Sequence, residues 1–401
     1  MKKILVLAST FPRWKNDTTP PFVLELEKRL ANDFNLFVLA PHFSGAKKKE
    51  TIENLYVTRF QYFWPANLQK LCYGGGIMPN LKKNKLLYIQ AITLLFFEFI
   101  AAIKIIKKKK IHLIHAHWII PQGVIAVLIK KLFGIPYIVT THGGDIYGLQ
   151  NSIMKYIKKA VLENAKQITV VSTAIKEEIL TTINSKLNIT VISMGVDAKL
   201  FNPDKYDETL KKKYNIQGPF LLFVGRLADK KGVEYLLKAM PQIVKEFPKT
   251  KLLIVGEGTI EEKLQKLSHK LNLAENVFFV GALPNTELPK YYGTADIFIG
   301  PSIKTHDGDT EGLGLTFVEA SFAGCIPIGT DIGGISDVIK DNESGFLINE
   351  KDPQSIAHLV IKLLKNDKLR NTIKKNSRDL TIKQFDWHVI TQKYNTIYRG
   401  N

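Results

Sequence analysis

Residues 297–330, IFIGPSIKTHDGDTEGLGLTFVEASFAGCIPIGT, read as one strand–loop–helix–strand unit. Ile297–Ile299 is a short apolar run that stops at Gly300-Pro301, and Ile326–Gly329 is a second such run. Between them, Gly312 and Gly314 can open a helix that ends near Gly324. Continuously apolar strands of this kind suit a sheet covered on both faces.

The same alternation extends in both directions. Upstream, Ile4–Ala8, Leu36–Ala40, Leu113–Ala116, Tyr137–Thr141, Ile168–Val171 and Thr190–Ile192 are candidate strands. Nearer the quoted unit come Phe220–Val224, Leu252–Val255 and Val277–Val280. Helix-period stretches such as Pro21–Asn32, Val233–Phe247 and Thr259–Leu271 lie between these runs. Strands and helices in alternation predict an α/β chain of right-handed βαβ units and mostly parallel sheets.

A chain of 401 residues suits two domains. Phe201-Asn202-Pro203-Asp204 closes the first regular region, and a charged stretch leads to Gly218-Pro219 before a fresh strand. The expected division is residues 1–205, residues 206–385 and a terminal helix at 386–401 that crosses back onto the first domain. Two Rossmann-like halves should then face each other, with the ligand at the carboxyl ends of their strands.

Composition narrows the class. Apolar residues make up 45% and charged residues 23%, as in an ordinary globular protein. Cys72 and Cys325 stand far apart, so neither a disulfide framework nor a metal-ligand spacing is present and a reducing cytoplasm is expected. Met1-Lys2-Lys3 followed by Ile4–Ala8 has too short an apolar run for a secretory leader and reads as a first strand. Fifty-six basic against 37 acidic residues give a net charge of +19, with lysine runs at 47–49, 107–110 and 211–213. No recognised nucleic-acid motif accompanies that charge, so anionic lipid or anionic substrates are the expected attraction. Leu86–Ile106 has the length of a membrane span, but Glu98 and Lys104 interrupt it. A helix that is buried, or rests on the inner leaflet through its lysine tail, is the expectation.

Three constellations carry chemistry. In Glu311-Gly312-Leu313-Gly314-Leu315-Thr316-Phe317-Val318-Glu319, the glycines let backbone N–H groups approach a diphosphate at a helix N-terminus. Glu319 is expected about two turns inside that helix, where a carboxylate can accept from ribose hydroxyls, and Glu311 can accept from a sugar. Val224-Gly225-Arg226-Leu227-Ala228-Asp229-Lys230-Lys231-Gly232 follows a strand, and Arg226 and Lys231 can neutralise a departing diphosphate. Thr141-His142-Gly143-Gly144-Asp145 ends a first-domain strand, so His142 should point towards a ligand. His117 and Trp118, in His115-Ala116-His117-Trp118, are candidates for an acceptor side, with Asp145 and Thr10. Two histidines one residue apart do not make a metal site without further ligands. Asp307-Gly308-Asp309 could hold a divalent ion, but cations already stand nearby in Arg226 and Lys231, so metal-free chemistry is expected.

At these residues the chain resembles the retaining glycosyltransferases of family 4, with the GT-B fold. The matching pieces are ISMGVDAKLFNP (192–203), VGRLADKKG (224–232), LLIVGEG (252–258), VFFVGALPNTELPKYYGTADIFIGPS (277–302), EGLGLTFVEASFAG (311–324) and TDIGGISDVI (330–339). The resemblance implies an acceptor-side first domain and a second domain that binds a UDP-, GDP- or ADP-sugar donor without further cofactor. It implies that Arg226 and Lys231 bind the diphosphate, Glu319 the ribose and Glu311 the sugar. It places Gly312, Leu313 and Gly314 on phosphate and sugar, Val280, Gly281, Ala282 and Leu283 beside the base, and His142 near the reacting centre. A glycan or lipid-linked acceptor of cell-envelope polysaccharide assembly is expected. The first loop, STFPRWKNDTTPPF at 9–22, departs from the common pattern by placing Pro20 and Pro21 where many relatives have glycine, so better-known members say nothing of its acceptor.

Two rivals remain at this level. An epimerase of the same fold would convert donor alone, and a non-catalytic sugar-nucleotide-binding protein would release no nucleotide. A nicotinamide dehydrogenase is a poorer fit, because Val255-Gly256-Glu257-Gly258 lacks the third glycine of a dinucleotide fingerprint.

Overall fold

The computed structural model describes all residues except Lys15, Asn16, Thr18, Pro20, Leu149, Asp307 and Asn401. It divides into two compact units, Met1–Met194 with Ile390–Asn401, and Gly195–Val389.

The first unit holds eight strands: β1 Lys3–Leu7, β2 Asn35–Pro41, β3 Lys49–Ile52, β4 Leu55–Phe60, β5 Leu113–His117, β6 Tyr137–Thr141, β7 Gln167–Val170 and β8 Ile189–Val191. Their spatial order is β3-β4-β2-β1-β5-β6-β7-β8, all parallel except the β3–β4 pair. Every strand that the apolar runs predict is present. The β3–β4 hairpin is additional: β3 is a short, charged edge strand, polar residues interrupt the apolar run of β4, and Glu53 and Asn54 turn the chain with φ of 46° and 65°. That left-handed pair fits the tight turn whose twist matches the flanking strands. A Glu in the first position of such a turn is an unusual signal, which is why the apolar pattern alone misses it.

The second unit holds β9 Phe220–Val224, β10 Lys251–Val255, β11 Val277–Gly281, β12 Ile297–Gly300, β13 Ile326–Thr330 and β14 Phe346–Ile348. The order β11-β10-β9-β12-β13-β14 is parallel throughout. Leu221, Phe223, Ile254, Ile297, Ile299 and Ile328 join the fully apolar faces of helices such as Val233–Glu246 in one core. In both units the order reverses once, between β1 and β5 and between β9 and β12, which are the switch points where α/β sheets place their ligands.

The unit boundary falls earlier than the charged linker suggests. Val196 bridges Asp386 in parallel, with Val196 N–H donating to Phe385 O at 2.9 Å and Trp387 N–H donating to Val196 O at 3.2 Å. These bonds tie the chain after Met194 into the second unit, so residues 195–205 belong with it. The terminal helix Trp387–Arg399 runs out of the second unit, and from Ile390 onward it counts with the first.

The helix Leu87–Lys109 has the length and composition of a membrane span. In the fold it buries a single stripe, Leu87, Gln90, Leu94, Glu98, Ala102 and Ile106, and packs against β1, β2 and β4. Burial pushes the Glu98 carboxyl up to about 8, beside the Gln122 amide.

Gly232 carries a testable constraint. Its φ is +61°, and a Cβ there would lie 1.9 Å from the Pro301 carbonyl oxygen. Gly232→Ala should destabilise the second unit by about 2 kcal/mol or more. Differential scanning calorimetry should then find its Tm lowered by roughly 4–8 °C; an unchanged Tm would contradict the packing described.

Candidate active site

The strands of the second sheet are parallel, so their following loops lie at one edge, and those after β9 to β13 carry or contact the predicted residues. After β9 the chain passes Gly225 and the exposed Arg226, then a single helical turn at Asp229–Lys231. After β10 comes the 256–260 loop. Leu227 N–H donates to Glu257 O at 2.9 Å, and a Cβ on Gly258 would lie 2.0 Å from Leu227 O. The partial dinucleotide fingerprint is therefore a close backbone contact that steadies the Arg226 loop. After β11, Gly281 accepts from Gly256 N–H at 2.8 Å, which brings Val280–Leu283 beside the same loop.

The loop after β12 joins this edge through charge and backbone. Lys231 Nζ donates to Glu311 Oε2 in a short ion pair, with both side chains largely buried. Lys230 Nζ donates to Asp309 Oδ1 at 3.1 Å and to Thr310 O at 3.3 Å, and Ile303 N–H donates to Lys230 O at 2.8 Å. Burial alone would raise the Glu311 carboxyl, but Lys231 and Lys230 outweigh it and hold it below the usual range. Behind it, Gly334 N–H donates to Glu311 O at 3.1 Å, and a Cβ on Gly333 would lie 2.1 Å from that oxygen. Lys231 and Glu311, expected from the sequence to serve a diphosphate and a sugar separately, are thus one pair. Asp309 is committed to Lys230, and Asp307 lies outside the described residues, so the aspartate triplet offers no built cation site among them.

Gly314, with φ +82°, caps the helix Leu315–Phe322, and no side chain among the described residues caps its N-terminus. Leu313 is buried, while Gly312 is partly open. Because the helix begins at Leu315 rather than at the first glycine, Glu319 sits just over one turn inside it, not two. Tyr292 Oη donates to Glu319 Oε2 at 2.8 Å, yet burial dominates and raises the carboxyl to about 7.

The first unit assembles its own cluster around His142. The His142 ring packs against Trp118 at 4.8 Å and Phe22 at 4.9 Å between centroids, and stacks on His117 at 5.4 Å. Trp118 itself turns the chain at φ 78°, a strained position for a bulky residue, held by its N–H donating to Thr140 O at 2.7 Å. Thr10 is partly exposed in the loop after β1.

Two acceptor-side candidates are corrected by burial. His117 is fully buried, with one ring nitrogen against Glu27 and the other against His142. Asp145 is also buried. It accepts from Ile119 N–H at 2.7 Å and from the Thr141 hydroxyl at 3.1 Å, so it clamps the β5 and β6 turns together.

Glu27 is the site residue that motif reading misses. It sits on the helix Phe22–Leu30, whose buried positions are Val23, Leu26, Glu27 and Leu30. A carboxylate inside that apolar stripe is the signal that could have found it. Glu27, His115 and His117 present ligand atoms within 4.8 Å of one another. The Tyr398 hydroxyl lies among them, 2.6 Å from His115 Nδ1 and 3.0 Å from Glu27 Oε1, so the cluster is a hydrogen-bonded network.

Two mostly parallel sheets with crossover helices, in two successive units, give the chain the GT-B fold. The family of group 1 glycosyl transferases matches residues 207–380, and glycosyltransferase family 4 matches residues 21–200. The chain belongs to glycosyltransferase family 4. It is 27% identical over 265 residues to a GDP-mannose-dependent α-(1-6)-phosphatidylinositol monomannoside mannosyltransferase of Mycobacterium tuberculosis, covering 65% of this chain and 69% of that one. It is 28% identical over 302 residues to the N-acetyl-α-D-glucosaminyl L-malate synthase of Bacillus anthracis, covering 74% and 76% respectively. In fold it matches sucrose-phosphate synthase from Thermosynechococcus elongatus with a TM-score of 0.80 at 20% identity, over 100% of this chain and 98% of that one.

The raised Glu319 carboxyl has a measurable consequence. Its folded value, about 7, exceeds its ordinary value of 4.5, so the native state holds a proton that the unfolded state loses first. Stability therefore falls as pH rises from about 4.5 through 7. Glu319→Gln removes that dependence, and its Tm advantage over wild type should grow across this window. Parallel Tm-against-pH curves for the two proteins would contradict the burial of this carboxyl.

Proposed function

We propose that this enzyme is a retaining, metal-independent hexosyltransferase that moves a sugar from a nucleoside-diphosphate donor to a glycan or lipid-linked acceptor. The observation that supports it most is the Lys231–Glu311 pair beside the glycine-opened helix Leu315–Phe322, at the switch point between β9 and β12. The helix N-terminus offers N–H groups to a phosphate, and Lys231 adds a cation, so the diphosphate binds where its charge develops. Glu311 holds Lys231 in place and can accept from a sugar hydroxyl. Glu319 and the 280–283 strand end are available to ribose and base.

In this reading the glycosidic C–O bond to the diphosphate lengthens first, and the bonding pair leaves with the phosphate oxygen. The acceptor hydroxyl attacks the oxocarbenium-like carbon from the same face, and its proton passes to the departing phosphate. Configuration is retained without a carboxylate nucleophile at the short spacing that a double displacement requires. Arg226, Lys230 and Lys231 supply the positive charge that a metal ion would otherwise bring. Each well-placed donor contributes about 3 kcal/mol to the transition state. Arg226→Ala should then lower kcat about a hundredfold with the sugar donor found among UDP-, GDP- and ADP-sugars by thermal shift. Near-normal turnover, or an inverted anomeric product, would overturn the mechanism.

The acceptor is assigned to a membrane-bound glycan of cell-envelope or exopolysaccharide synthesis, reached from the cytoplasmic face. The helix Leu87–Lys109 leaves Tyr88, Ile89, Ile92 and Phe96 exposed, with exposed lysines at 82, 83, 85, 104, 107, 108 and 110 around it. An apolar face bordered by cations suits an anionic leaflet. The mycobacterial relative, by its name, acts on a phosphatidylinositol mannoside. Wild-type enzyme should co-sediment with vesicles containing phosphatidylglycerol and not with pure phosphatidylcholine. The double variant Ile92→Glu with Phe96→Glu should lose at least about tenfold of that binding; equal sedimentation of both proteins would refute the assignment.

A further inference from the structure

The Glu27 side chain is fully buried, and a carboxylate there is stable only if donors surround it. Its Oε1 lies 3.2 Å from His117 Nε2, 3.2 Å from His115 Nδ1 and 3.0 Å from Tyr398 Oη, while Oε2 lies 3.1 Å from Tyr398 Oη. On the far side of His117, Nδ1 lies 3.1 Å from His142 Nε2. A single file of contacts therefore runs from a buried charge to the histidine that faces Trp118 and Phe22.

The order of protons along that file follows from valence. An ionised carboxylate only accepts, so His117 Nε2 must carry its hydrogen. A neutral imidazole has one N–H, so His117 Nδ1 is a lone pair and accepts from His142 Nε2–H. His142 is then left with a bare Nδ1. We propose that Glu27 is a positioning residue which, through His117, locks His142 in the Nε2–H form so that its Nδ1 accepts a hydrogen bond from a substrate hydroxyl. This rests on the glycosyl-transfer reading only for the identity of the hydroxyl; the tautomer is a property of the first unit by itself.

The protonation states agree with this geometry. Burial would raise the Glu27 carboxyl, but hydrogen bonds from His115 and His117 more than offset it and hold the group at about 2. Burial, reinforced by His115, depresses His117 to about 4, and burial with both neighbouring histidines depresses His142 well below its ordinary value. All three groups keep these states near neutral pH. The network also gives the terminal helix a part: Tyr398, on its last turns, bridges His115 and Glu27, while Thr140 Oγ1 sits 2.7 Å from His115 Nε2.

The test is a long-range 1H–15N spectrum of enzyme labelled at histidine nitrogen, recorded with steady-state kinetics. Wild type should show His117 and His142 both protonated at Nε2. In Glu27→Gln the amide can donate to His117 Nε2, which moves its hydrogen to Nδ1 and reverses His142 in turn. His142 should then appear as the Nδ1–H form, with turnover lowered at least about tenfold. A merely structural glutamate would leave the tautomer where it was. His142 found as Nδ1–H in wild type, or unchanged in Glu27→Gln, overturns the proposal. Reversal with full turnover also overturns it, because the tautomer would then have no bearing on catalysis. Should Glu27→Gln fail to fold, the wild-type spectrum and that of His117→Phe decide: loss of the acceptor should give His142 as a mixture of tautomers, and a persisting single Nε2–H form refutes the relay. Full turnover by His142→Ala would overturn the role of its Nδ1 without touching Arg226 and Lys231, so that failure is separable from failure of the transferase reading.

Discussion

At the edge of the second sheet, four loops touch backbone to backbone at three places with no side chain between them. Where Gly258, Gly232 and Gly333 would carry a Cβ, the carbonyl oxygens of Leu227, Pro301 and Glu311 stand at 2.0, 1.9 and 2.1 Å. Any other residue would force the loops apart, because a Cβ at those distances overlaps the carbonyl oxygen. Because the loops close to this degree, Lys231 meets Glu311 without stretching either side chain from the fold. Loops that carry function are usually the mobile part of an α/β unit. Here backbone contact lends them the rigidity of the sheet.

The two units handle charge in opposite ways. At the second sheet, charges pair between loops, Lys230 with Asp309 and Lys231 with Glu311, and Arg226 is exposed on the loop that carries both lysines. In the first unit a buried carboxylate is the scarce charge, and His115, His117 and Tyr398 are gathered around it. That arrangement satisfies its own valence and instead passes directionality outward, through His117 to His142. One site pairs its charges, and the other orients a neutral ring.

The terminal helix connects these themes to the fold. Tyr394 and Tyr398 are fully buried, with their hydroxyls on Thr140 and Glu27. A surface helix needs only an apolar stripe to dock; these two tyrosines add hydrogen bonds inside the core, where each lost partner would leave a buried polar group. The segment therefore completes the hydrogen bonding of the first unit and is more than a tether.

The sequence by itself determined a great deal. The apolar runs located the central strands of both sheets other than β4, since residues covered on both sides must be apolar whatever the rest of the chain does. Arg226, Lys231, Glu311 and Glu319 stood out as candidates because glycines and charges at strand ends have few structural uses. The β3–β4 hairpin and the three-residue β14 escaped: β3 and β14 are short and lie at sheet edges, and Tyr56, Thr58 and Arg59 interrupt the apolar run of β4. Tertiary structure alone decided the pairing of Lys231 with Glu311, the burial of His117 and Asp145, and the start of the Glu319 helix at Leu315. It alone brought Glu27, His115, His117 and Tyr398 together from positions up to 371 residues apart. No local periodicity encodes such a meeting; it depends on which strands become neighbours and on a last helix that returns to the first sheet.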